Sequence, residues 1–355
     1  MPTVMFANSN RLNDSAIGRL DTPIRAIIKA QSDALTKKGS MLDTLFNVEK
    51  SRKFAETVVY RDEFDEFQGA LEGGSAENDM TEDTFQSTIY HYEYKKKMTI
   101  TAAHAEDANY KVTGDMKRQA NAFAAQYFKT REHLGSAALS NGEKTEMVFN
   151  KHTIPLLTCD KLPLFHKAHL YGGSKTKGQK TQSNFYYVAL GEGATINSGL
   201  LEEYIQQLAV NLRNMKDDNG TPLCYSGNII RIPGNRPSLE RAVRKLVYTD
   251  RQGASDFNDI NTQAGYHLVI DPLWQTTEDV IDLQSSEANE NLLGSMFYDR
   301  AGLKCTSGID ADTGNYYTVG RCRMGIGFGT YKHIMRLKIV ASDKVSGVSN
   351  LATSL

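Results

Sequence analysis

Cysteine is scarce and scattered: the 355 residues hold four, Cys159, Cys224, Cys305 and Cys322, with no C-x-x-C pair. That spacing argues against a disulfide framework and a zinc ribbon, and makes a reducing compartment the expectation. No apolar stretch approaches the roughly 18 residues that span a bilayer. The opening Met1-Pro2-Thr3-Val4-Met5-Phe6-Ala7-Asn8 lacks a basic leader followed by a long apolar run. A soluble chain made inside the cell, with no membrane partner, is therefore expected. Nor is charge of either sign in excess: 41 Lys and Arg against 42 Asp and Glu leave a formal charge of -1. The chain as a whole is no polycation built to coat nucleic acid, so any electrostatic function must be local. Repeats and low-complexity segments are absent too. The length suits one elaborate domain or two interleaved ones.

The first fifty residues carry a short amphipathic pattern, Ile24, Ile27, Ile28 and Leu35, with Asp21 ahead of Pro23 as a start signal, then Met41, Leu42, Leu45 and Phe46. Residues 1–53 hold nine basic side chains against five acidic ones, a basic arm that needs something else to pack on. Two strand-like runs follow, Thr57-Val58-Val59-Tyr60 and Thr88-Ile89-Tyr90-His91-Tyr92-Glu93-Tyr94. Between them, residues 61–83 carry nine carboxylates and one base, Arg61. Alternation places Tyr90, Tyr92 and Tyr94 on one strand face. A ribbon this long and polar has too little core to stand alone, so it should lie on a neighbouring molecule or on the body of its own fold.

The longest helical pattern runs from about Asp115 to Leu139, with Met116, Ala120, Phe123, Tyr127 and Leu134 at three- and four-residue steps. A second amphipathic helix covers Leu201 to Met215 and stops at the Asp218-Asn219-Gly220 turn signal. A third starts at Pro237, with Leu239, Ala242, Val243 and Leu246 on one face. The last hundred residues read as strands, among them 267–270, 280–283 and the alternating His333, Met335, Leu337 and Ile339. The pattern is α+β, a long helix beside antiparallel strands.

Catalytic chemistry finds little purchase. His166-Lys167-Ala168-His169 with Cys159 offers three zinc ligands and no fourth. Asp310-Ala311-Asp312-Thr313-Gly314-Asn315 resembles half a calcium loop without the bidentate Glu, and a hairpin turn is the better reading. Gly325-Ile326-Gly327-Phe328-Gly329 is glycine-rich, but no helix pattern follows to aim N–H groups at a phosphate. G-x-S-x-G is missing. The carboxylates of the ribbon suit a solvated or partner-facing surface better than a dry pocket.

A family resemblance begins at Leu162-Pro163-Leu164-Phe165-His166-Lys167-Ala168-His169. The run Pro-Leu-Phe-x-x-x-His, followed by a Gly-rich polar stretch and Asn184, is similar to the major head subunit of Mu-like tailed bacteriophages. The helix 201–215, Asp218-Asn219-Gly220-Thr221-Pro222-Leu223, Asn228-Ile229-Ile230-Arg231-Ile232-Pro233, Leu239-Glu240-Arg241-Ala242, Asn258-Asp259-Ile260-Asn261 and Val269-Ile270-Asp271-Pro272-Leu273-Trp274 follow in order. Together they span about a third of the chain, residues 160–275. After Pro233 stands Gly234 where the family often repeats Pro, and nothing before residue 155 matches a motif.

The resemblance implies the Hong Kong 97-type capsid fold: an N-terminal arm (1–54), an extended β-hairpin loop (55–103), a peripheral domain with a spine helix (104–154), an axial domain (155–275) and a return to the peripheral domain (276–355). It implies a major capsid protein without catalysis, metal or cofactor, assembling with itself as hexamers and pentamers into an icosahedral head. A separate scaffolding protein and a portal belong to that expectation, and a decoration protein is left open. Lys95, Lys96 and Lys97 lie where certain relatives form a Lys–Asn crosslink, though no Glu catalyst or Asn acceptor is identifiable. Inter-subunit contact is expected from Arg61, Glu63, Asp65, Glu66, Tyr90, Tyr92 and Tyr94. Arg321, Arg323, Lys332, Arg336 and Lys338 are expected to face packaged double-stranded DNA without sequence preference, or else to blunt a strand edge. Two rival readings are an oligomeric metal-dependent hydrolase using His166, His169 and Asp310, and a tubular or sheath structural protein.

Overall fold

The structure is a computed structural model that describes residues 5–6, 17–61, 83–171, 180–190, 196, 198–248, 265–341 and 347–351. The chain opens with β1 (Met5–Phe6), a 3-10 turn (Ile17–Leu20), α1 (Asp21–Lys38), α2 (Met41–Leu45) and β2 (Asn47–Lys50). A hairpin of β3 (Ala55–Arg61) and β4 (Asp83–Tyr90) leads through His91 into β5 (Tyr92–Ile100). After α3 (Ala102–Asp107) comes the long helix α4 (Gly114–Ser140). The short strands β6 (Glu146–Phe149), β7 (His152–Pro155), β8 (His169–Tyr171) and β9 (Lys180–Gln182) form two hairpins. Next are β10 (Phe185–Ala189), α5 (Ser198–Arg213), β11 (Ile229–Pro233), α6 (Pro237–Tyr248), β12 (His267–Asp271), β13 (Asp279–Gln284) and α7 (Ser286–Asn291). The chain closes with β14 (Ser295–Ile309), β15 (Tyr316–Phe328), β16 (Ile334–Val340) and β17 (Ser349–Asn350).

Two sheets share α4. The five-stranded sheet runs β1-β14-β15-β5, with β2 also on β14, and the mixed six-stranded sheet runs β12-β11-β13-β16-β10-β17. Helix α4 starts where Thr113 Oγ1 accepts the Met116 N–H, a side-chain N-cap. All five periodic positions expected to be inward, Met116, Ala120, Phe123, Tyr127 and Leu134, are buried. The basic arm finds its support within its own chain: Ile24 and Ile28 of α1 are fully buried and α1 packs along α4. Over α1 and α2 the something else that the arm needs to pack on is therefore part of its own chain. The closing strands divide between the two sheets. Strands β13 and β16 pair with β11 and β10 in the six-stranded sheet, and only β14 and β15 lie in the sheet under α4.

The helix is fastened to both sheets by buried charge. Arg231, Asp282 and Arg336 stand directly opposite one another across β11, β13 and β16. Arg231 Nη1 donates to Asp282 Oδ2 at 3.0 Å, Arg336 Nε to Asp282 Oδ1 at 2.7 Å, and Arg231 Nη2 to Asp271 Oδ2 at 2.6 Å. Both arginines also reach the last turn of α4: Arg231 Nη2 meets Ser136 O at 3.2 Å and Ser140 Oγ at 2.8 Å, and Arg336 Nη2 meets Leu139 O at 2.9 Å. Cations there satisfy orphan carbonyls and match the negative end of the helix dipole. The lone Trp274 lies 4.2 Å from the Arg231 guanidinium carbon and Phe165 lies 3.8 Å from that of Arg336. Midway along α4, Arg131 Nη2 holds Asp299 Oδ2 of β14 at 2.9 Å. Burial pushes the Asp299 carboxyl up against the opposing pull of Arg131. Removing one member of such a set strands a charge in the core. Asp282→Ala is expected to lower unfolding free energy by about 3–5 kcal/mol, read as a shifted urea midpoint.

Candidate functional site

The β3–β4 ribbon stands outside the main core. Val58 and Ile89 bury themselves with Met296 and Tyr298 in a separate cluster on the outer face of the five-stranded sheet. Alternation along β15 explains the seat. Even-numbered Met324, Ile326 and Phe328 are buried in the main core, so odd-numbered Gly325, Gly327 and Gly329 face the ribbon. A β-carbon on Gly325 would lie 2.7 Å from His91 Cδ2 and one on Gly327 2.6 Å from Ile89 Cγ1; one on Gly329, just past the strand, would run into the Leu293 carbonyl first and lie 2.9 Å from Val58 Cγ1. Glycine is needed here for close approach of the ribbon to the strand. The Gly-x-Gly-x-Gly run is thus a strand surface cleared for the ribbon, with no helix beyond it.

His91 marks the root. Its ring is buried, Nδ1 donates to Phe54 O at 2.7 Å, and its edge meets Tyr298 at 6.0 Å and 88°. Nε2 is buried and has no hydrogen-bond partner among the described residues. Burial holds the imidazole below its usual range, opposed by the Phe54 carbonyl and Glu56 and assisted by Arg323 and Arg300. Glu56 itself is held low, first by the Ser51 hydroxyl at 2.7 Å. At the rim, Phe54 and Tyr90 are exposed and meet edge to face at 6.5 Å.

The tyrosine run does not act as one contact surface. It breaks at His91, where β4 ends and β5 enters the five-stranded sheet, so Tyr92 and Tyr94 share the inner face with Met98 and Ile100. Tyr92 donates to Thr153 O at 2.9 Å and Tyr94 packs edge-on against His152 and Phe149. Those two therefore pack within their own subunit, while Tyr90 is exposed. Arg61 ends β3; Glu63, Asp65 and Glu66 lie outside the described residues, as does Asn258-Asp259-Ile260-Asn261.

The five cations expected to face DNA divide. Strand β16 is buried on both faces, and Arg336 is consumed by Asp282, Glu143 and α4. Lys332 is buried with Nζ 3.4 Å from Asp218 Oδ1. Lys338 bridges Glu143 at 2.8 Å and Glu278 at 2.9 Å. The DNA-facing assignment is corrected for Lys332 and Arg336: Arg336 lies on a central strand with no outward face, and Lys332, in the turn before it, is buried against Asp218. Arg321 and Arg323 instead stand on the open face of the five-stranded sheet.

The residues of the metal reading are employed elsewhere. His169 is stacked on Tyr331 at 3.8 Å and 6°, with Nδ1 2.8 Å from Asp160 Oδ2 and Nε2 3.1 Å from Leu164 O. Burial would raise the Asp160 carboxyl, yet bonds from His169, Thr158 and the Leu162 N–H hold it low. His166 Nδ1 accepts the Ala168 N–H at 3.2 Å. Asp310 sits in the β14–β15 turn, where it accepts the Gly314 N–H through its carbonyl and faces Lys97 through its carboxylate. The His166 and His169 rings meet edge to face at 5.8 Å, but Asp310 belongs to the β14–β15 turn, and no three potential metal ligands come together among the described residues.

No family model matches the chain and no curated protein matches it. Solved structures do. The chain is similar to the capsid structure of the cyanophage P-SCSP1u, at 11% identity over 86% of this chain and 89% of that one, with a TM-score of 0.51. It is likewise similar to the capsid of the Myoviridae phage XM1, at 12% identity over 85% and 92%, with a TM-score of 0.50. The fold is the Hong Kong 97-type α+β fold of phage capsids.

The depressed His91 dictates a pH dependence at the ribbon root. A histidine whose folded value lies below its unfolded one takes up fewer protons when seated, so its contribution is complete at higher pH and is lost as pH falls through about 6.5. Limited proteolysis within 55–90 is expected to accelerate between about pH 7.5 and pH 5.5, and His91→Gln to flatten that change.

Proposed function

We propose that this chain is the major capsid protein of a tailed bacteriophage, self-assembling into the icosahedral shell that encloses double-stranded DNA. The observation that carries the reading is the capsid fold over most of the chain, in which a ribbon with almost no core of its own is held on a seat apart from the main core. In this reading α4 and the five-stranded sheet form the peripheral domain. The six-stranded sheet with α5 and α6 forms the axial domain that meets its copies in hexamers and pentamers. The ribbon is the extended loop that crosses to a neighbour, where many modest contacts become cooperative through closed symmetry. A scaffolding protein and a portal complete the assembly, which takes place in the host cytoplasm and ends in the virion. Among the described residues no helix is long and apolar enough to cross a membrane.

Expressed alone and passed over a sizing column, the protein is expected to give closed shells or free capsomers by negative-stain electron microscopy. Rods would move the reading to a tube or sheath. A monomer carrying stoichiometric metal, with no assembly even beside a scaffold, would replace it with the hydrolase.

A further inference from the structure

The open face of the five-stranded sheet carries an arrangement that a lone subunit does not explain. Lys304 of β14, Arg321 of β15 and Lys95 of β5 stand directly opposite one another across three strands, where like charges repel. Lys97 and Arg323 flank them on the same face, and all but half-buried Arg323 are exposed. Glu93 is the one carboxylate among these strand positions, shared between Arg321 and Lys95, and Asp310 meets Lys97 at 3.9 Å from the turn. Neither Lys304 nor Arg323 has an ion pair among the described residues. The inner face of the same sheet packs against α4, whereas on this face Arg321 is exposed and Arg323, Val319 and Tyr317 are half-buried.

The chain also holds the matching anion. Residues 62–82 contain eight carboxylates and no Lys or Arg. The ribbon that carries them points away from its own cations. Stepping outward along it, His91 sits over Gly325, Ile89 over Gly327 and Val58 over Gly329. Each step moves toward the C-terminal end of β15, and Arg323 and Arg321 lie the other way. The described strands of the ribbon are thus directed away from the cation row of their own sheet.

We propose that the Lys304–Arg321–Lys95 row, with Lys97 and Arg323, is the docking surface for the acidic segment 62–82 of a second copy of this chain. The proposal rests on the shell reading and adds to it the surface on which the ribbon lands and the interaction that holds it. DNA is the less fitting occupant: the subunit's net charge of -1 gives no overall attraction for a polyanion, while the chain supplies a local counter-charge of its own. Attraction of this kind fades with salt.

The test mixes 15N-labelled and unlabelled full-length protein, lets it assemble, and joins carboxylates to amines with a zero-length carbodiimide. Mass spectrometry is expected to find 62–82 joined to Lys95, Lys97 or Lys304 in peptide pairs of mixed label. Exclusively same-label pairs, or mixed pairs ending only on other lysines, would overturn the proposal. In parallel, Arg321→Glu with Lys95→Glu is expected to raise the concentration needed for assembly by roughly tenfold at low salt, much less in 1 M salt. Adding Glu63→Lys and Glu66→Lys should recover most of that loss. Unchanged assembly of the sheet variant at low salt sinks the docking surface and leaves the shell reading standing. Loss of co-purifying nucleic acid with assembly and crosslinks intact assigns the row to DNA instead. Failure of the wild-type protein to self-associate under any condition removes the shell reading and, with it, the docking surface.

Discussion

The Arg231–Asp282–Arg336 row at the end of α4 is the interaction on which the rest of the architecture depends. It lies buried between the last turn of the helix and the middle of the six-stranded sheet, and it spends its remaining donors on helix carbonyls. Its charges alternate across the strands, which is what lets three ionised groups remain buried together. Arg131 and Asp299 repeat the device against the other sheet. Helix α4 therefore acts as a common beam, with α1 laid along it and a sheet fixed at either contact. A buried ion set of this kind is weak evidence for high stability, but its directional bonds fix how the two sheets sit about one helix.

The ribbon is built on the opposite plan. Its root buries Val58 and Ile89 against Met296 and Tyr298 of β14, beside a main core that spans both sheets, and its fit comes from glycines that remove side chains from β15. Local opening there costs only the small cluster and the ribbon's own ladder, so it belongs to the less stable part of the molecule. The outer face of the five-stranded sheet carries like charges in a row where the six-stranded sheet carries alternating ones. Among the described residues the first arrangement leaves Lys304 and Arg323 without an ion pair, whereas every charge of the second is paired.

Much of this was legible in the sequence, and the exceptions share a cause. Periodicity located α4, α5 and α6 to within a few residues, and the Asp310 turn read correctly as a hairpin. The ordered motif set that resembles Mu-like head subunits also has a physical meaning: Phe165, Arg231, Asp271 and Trp274 all meet at the buried row, and Asn184 ties the 164–166 loop to β16. What periodicity cannot say is which face another element will cover. Arg336 and Lys332 look like surface cations until Asp282 and Asp218, far away in sequence, come to lie beside them. Tyr92 and Tyr94 alternate properly, yet they belong to a different sheet from Tyr90. The purpose of the β15 glycines is not visible in the sequence because their counterpart, the β3–β4 root, lies more than two hundred residues earlier.

Hydrogen exchange on the full-length protein before and after assembly tests the central claim of a rigid frame carrying a separately seated ribbon. Amides of α4, β11, β13 and β16 are predicted to exchange slowly in both states, while those of β3 and β4 exchange quickly in the free subunit and become protected on assembly. Equal, frame-like protection of the ribbon in the free subunit would contradict the account.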